Sequence, residues 1–69
     1  MPIGTFTAVL HKECALYVAE CPEVGTVSQG ATVEEAVANL KEATELYLEE
    51  FPHENPSRPL VAVFEARYA

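Results

Sequence analysis

The sequence predicts an α+β fold of order β-β-β-α-β: a four-stranded mixed sheet with one helix packed on one face. Three observations predict it. One long stretch, Thr32 to Phe51, carries a single helical period between a capping signal and a proline. Three short runs rich in β-branched and aromatic residues precede it. One further run with period two, Leu60 to Tyr68, follows it.

The helix is the clearest element. Thr32 is a natural N-cap, because its hydroxyl can accept the free N–H three residues on. Glu35 stands at that position and is placed to reach back to the Thr32 N–H, so Thr-x-x-Glu reads as a capping box. Val33, Ala36, Val37, Leu40, Ala43, Thr44, Tyr47 and Phe51 follow at steps of three and four and make one apolar stripe. Tyr47 on this stripe is expected in the core. Pro52 stops the helix, since the residue before a proline is pushed out of the α region.

The strands are read in order. Thr5 to His11 is the first, with Phe6, Ala8 and Leu10 on one side. Lys12, Glu13 and Cys14 form the connection. Ala15 to Cys21 is the second strand, with Leu16 and Val18 on one face and Tyr17 and Ala19 on the other. Pro22 ends it, because proline has no N–H for a ladder. Val24 to Gln29 is a short third strand in which Gly25 suggests a bulge. After the helix, Pro52 to Pro59 holds three prolines in eight residues and reads as a loop. Leu60 to Tyr68 is the fourth strand, with Leu60, Ala62, Phe64, Ala66 and Tyr68 on one face. Strands three and four would run parallel, joined by a right-handed crossover. One sheet face then has no cover, and Val9, Tyr17, Ala19, Val61 and Val63 are assigned to it. An uncovered apolar face marks an association site, so a homodimer or higher oligomer is expected.

Size and charge bound the function. The 69 residues make one domain, 1–69. A chain this short buries only about 60% of its unfolded surface and often needs a partner for stability. Four basic residues stand against eleven acidic ones, a net charge of −7. Such a chain repels phosphate, which argues against direct nucleic-acid binding. All eleven acids are Glu. A Ser-His-Asp set is therefore impossible, and two-metal phosphoryl chemistry, which usually includes Asp, is disfavoured. His11 and His53 are read as surface residues. Cys14 and Cys21 lie too far apart along a strand to form a disulfide with each other. They are read as reduced thiols of a cytoplasmic protein. No cofactor, metal site, signal peptide or membrane span is expected.

The run Leu16 to Glu50 resembles the HicB-like antitoxin family. The carrying residues are the Pro22-Glu23 corner, Gly25, Gln29-Gly30-Ala31-Thr32, and Glu34-Glu35-Ala36 with Asn39, Glu42 and Ala43. The resemblance implies the same β-β-β-α-β fold, a partial ribonuclease-H-like domain. It implies a binding protein, not an enzyme, that occludes a small basic HicA-type toxin which cleaves mRNA. Many members carry a C-terminal DNA-binding segment; this chain ends at Ala69, just past strand four, so none is expected. Glu42, Glu45 and Glu49 on the acidic side of the helix, with Tyr17 and Tyr68, are the expected partner-binding residues. Thr32 and Glu35 are expected to cap the helix. Two other functions are weighed: a solitary oligomeric regulatory module with another partner, and a ribonuclease-H-like hydrolase. The missing aspartates argue against the hydrolase.

Overall fold

A computed structural model describes residues 3–52 and 60–68. It is α+β: a three-stranded antiparallel sheet, β1 (Val9–Glu13), β2 (Leu16–Cys21) and β3 (Thr26–Gly30), and one helix, α1 (Val33–Glu50). The strand order is β1-β2-β3, so each strand pairs with its neighbour in the chain.

The β1–β2 register explains where β1 begins. Val9 stands opposite Glu20, and Glu13 opposite Leu16. Extended by two residues, the same register would set Thr7 against Pro22, which has no N–H to give. Thr7 turns its own N–H to the Glu23 carboxylate instead, at 2.9 Å. The first strand therefore starts at Val9 and not at Thr5, despite the β-forming composition of Thr5–Ala8.

The β1–β2 loop is the two residues Cys14 and Ala15, shorter and later than expected. Cys14 occupies the left-handed region, φ 57°. A two-residue hairpin favours such a conformation at its first position, but a residue with a Cβ is strained there. Cys14→Gly is expected to stabilise the fold by about 1 kcal/mol, seen as a higher urea midpoint at unchanged slope. The β2–β3 turn needs no such compromise, because Gly25 takes φ 93° and its N–H closes on the Cys21 carbonyl at 2.7 Å.

The helix begins as its sequence signals. Thr32 is extended, and its hydroxyl accepts the Glu35 N–H at 3.0 Å. The reciprocal bond is shifted by one residue: Glu35 Oε1 accepts from the Ala31 N–H, at 3.2 Å, and not from Thr32. Ala36, Leu40 and Thr44 form the buried rib of α1, resting on Ala19 and Cys21 of β2. Ala19 and Ala36 are both wholly buried, so the helix sits close over the sheet where both sides are small. Two polar ties fix its position. The Thr26 and Thr44 hydroxyls meet at 2.7 Å, and Asn39 Nδ2 donates to the Gln29 carbonyl at 2.8 Å.

Two expectations are corrected. First, Tyr17 and Ala19 do not lie on the open face. Their side of β2 faces α1, where Ala19 is buried and Tyr17 packs against the core. The open face carries Val9, Leu16, Val18 and Val27 among His11, Glu13, Glu20 and Gln29. Second, Tyr47 is 41% exposed and stacks on Phe51, ring centroids 4.9 Å apart. Eighteen helical residues span about 27 Å, and a six-residue strand about 20 Å. The last turns of α1 thus overhang the sheet. The described sheet has three strands, and Leu60–Tyr68, read from the sequence as a fourth, pairs with none of them and is exposed along its whole length. A strand has no hydrogen bonds of its own and exists only against an edge.

Candidate functional site

The outward side of α1 is the strongest charged feature. Glu42, Glu45 and Glu49, at i, i+3 and i+7, share the face opposite Leu40, and all are exposed. Among the described residues no Lys or Arg lies within ion-pairing distance of a carboxylate, and His11 Nε2 meets Glu13 Oε2 at 3.2 Å on the sheet. Lys41 and Glu45 are spaced to pair across one turn but do not. Among the described residues the carboxylates of Glu42, Glu45 and Glu49 thus meet no cation.

Their placement along α1 is informative. Glu34 and Glu35 lie in the first turn, where the helix dipole favours negative charge. Glu49 and Glu50 lie in the last turn, which holds no basic residue. There the dipole disfavours them, by roughly 0.3–1 kcal/mol each at an exposed site. Helix stability accounts for the first pair and not for the second.

The expected partner-binding residues do not form one surface. Glu42, Glu45 and Glu49 stand together. Tyr17 is on the sheet beneath the helix, half-buried, with Lys12 Nζ 5.8 Å from its ring centre. Tyr68 is 97% exposed on the segment outside the sheet. Thr32 and Glu35 do cap the helix. His11 is exposed; His53 lies outside the described residues. Among the described residues, no group of three or more His, Cys, Asp or Glu side chains is placed to hold a metal ion. None of the described helices is long and apolar enough to cross a membrane.

Cys14 and Cys21 are both free thiols, the first exposed and the second buried. Burial pushes the Cys21 thiol above its ordinary value, and the nearby Glu23 carboxylate adds to the effect. Cys21 Sγ donates to Glu23 Oε1 at 3.5 Å. Glu23 is the working residue that its corner position alone did not reveal. It gathers Thr7 N–H and the Cys21 thiol at the start of the β2–β3 turn. Partial desolvation acts to raise its carboxyl, but bonds from its own N–H and from Thr7 outweigh this and hold it below its ordinary 4.5. A depressed carboxyl stabilises the fold above the unfolded value, and the contribution is lost as pH falls through the folded one. Urea midpoints should therefore fall between pH 6 and pH 3.5. The fall should be shallower in Glu23→Gln, which starts lower and has no such proton to take up.

Among known proteins, the chain is similar to a UPF0150 protein of Synechocystis sp., with 44% identity over 59 residues. The alignment covers 83% of this chain and 75% of that relative. No model of a protein family matches the chain. No solved structure matches it.

Proposed function

The chain belongs to the UPF0150 family, and we propose that it is a HicB-type antitoxin domain that binds and occludes a small basic HicA-type mRNA-cleaving toxin in the cytoplasm. One observation carries the reading. Exposed carboxylates run down α1 into its last turn, where the dipole opposes them and the turn itself holds no basic residue. A cost of that kind is recovered when a cationic surface docks on the face. The net charge of −7 steers the same partner from a distance. The resemblance of Leu16–Glu50 to the HicB-like pattern supplies the partner's chemistry.

Within this reading Leu60–Tyr68 is the fourth strand of a mixed sheet. Its alternation of Leu60, Ala62, Phe64, Ala66 and Tyr68 supports that role. The domain is an occluding surface, not a catalyst. The test is co-expression with the protein encoded beside it. A stable complex that restores growth and blocks RNA cleavage is the expected result. Lack of a complex with any small basic neighbour, and lack of toxicity from that neighbour alone, would end the antitoxin reading.

A further inference from the structure

The chain exposes 5943 Å². A compact monomer of 7.5 kDa exposes only about 4200 Å². The radius of gyration is 13.8 Å, where about 11 Å is expected of 69 compact residues. Much of the excess is apolar and sits in one place. Leu60 is 100% exposed, Val63 95% and Phe64 84%. The core beneath the helix is correspondingly thin: Ala19, Cys21, Ala36 and Leu40 are its only buried hydrophobic residues among those described.

The sheet has two edges, and they are not equivalent. At the β3 edge α1 lies alongside, and the Gln29 carbonyl is already taken by Asn39. At the β1 edge β2 pairs with one side of Val9–Glu13, and no described segment pairs with the other side. There Phe6, Ala8 and Leu10 form a half-buried apolar ledge on the helix side, which α1, lying over β3 and β2, leaves open. A strand added beside β1, with Leu60, Ala62 and Phe64 turned to the helix side, would cover that ledge. It would also satisfy the free N–H and C=O groups of the edge.

We propose that this strand comes from a second copy: two chains exchange their Leu60–Tyr68 segments, each adding the segment to the β1 edge of the other. The exchange is isologous, so one two-fold axis closes it and leaves no unpaired repeat. The excess of about 1700 Å² per chain matches what each partner of an obligate dimer buries. The proposal rests on the fourth-strand reading above and is independent of the toxin.

The test uses the full chain. Isotope-labelled and unlabelled protein are mixed, unfolded together and refolded. Mass is then measured by sedimentation, and isotope-filtered NOEs are recorded between the Phe64 ring and the Leu10 methyl groups. A dimeric mass with these NOEs between copies is the expected result. NOEs within one copy would overturn the exchange while leaving the fourth strand standing. A dimer or a monomer with no Phe64–Leu10 contact would overturn both. Val63→Pro, which removes a ladder donor and obstructs a paired strand, should weaken dimerisation by about 100-fold or more while the helical circular dichroism remains. An unchanged dimer in Val63→Pro would also overturn the proposal.

Discussion

Gly30→Ala is expected to destabilise the domain by about 3 kcal/mol, the upper end of what overpacking costs. A Cβ on Gly30 would lie 2.6 Å from the Ala36 backbone nitrogen and 2.8 Å from the Glu35 carbonyl carbon. Both are main-chain atoms in the first turns of α1, so neither can swing aside as a flexible side chain would. The helix would have to lift from the end of β3. That would loosen the Asn39 bond to Gln29 and the contact of Ala36 with Ala19, since both depend on the same close approach. Thermal melts and urea titrations of the variant check this. A loss under about 0.5 kcal/mol, the range of an ordinary surface substitution, would show that the helix does not sit where the structure places it.

Replacing Glu42, Glu45 and Glu49 together by Lys is expected to abolish capture of a basic partner while leaving the fold intact. Each change adds two charges, so the three take the net charge from −7 to −1. The three side chains are exposed and form no ion pair among the described residues, and surface changes of this kind usually shift stability within about 0.5 kcal/mol. Glu49→Lys also places a cation at the helix end that favours one. Stability should thus hold or rise slightly. Affinity for a cationic partner should fall by about 100-fold, because attraction becomes repulsion at three adjacent points. Titration calorimetry at low and moderate salt separates the two effects. The parent complex should weaken as salt rises, and the variant's residual binding should not. Undiminished binding by the triple variant would mean that the partner docks elsewhere.

The helix was legible in the sequence because its signals are local. Thr32, Glu35 and Pro52 mark its ends by chemistry that acts within one turn, and the apolar period marks its inner side. The strands were legible as runs, but their ends depend on a partner. β1 begins at Val9 because Pro22 lies opposite Thr7, a fact that only the register reveals. Alternation separates Tyr17 and Ala19 from Leu16 and Val18, but not which pair meets the helix. Both pairs are apolar, and the small size of Ala19 against Ala36 decides it. Tyr47 and Phe51 continue the stripe faithfully; what the stripe omits is the length of the sheet below. The acidic face was legible as a charge pattern. Its separation from Tyr17 and Tyr68 was not, since that separation is a property of three dimensions.

Each strand of the sheet pairs with the strand next to it in sequence, and α1 packs on the strand that directly precedes it. The consequence is kinetic. Every loop closed in building this body is short, so little chain entropy is lost before native contacts repay it. The hairpins and the helix should assemble in a fast, concentration-independent phase. Any slower step that speeds up with protein concentration then reports the meeting of two folded bodies, not the folding of either.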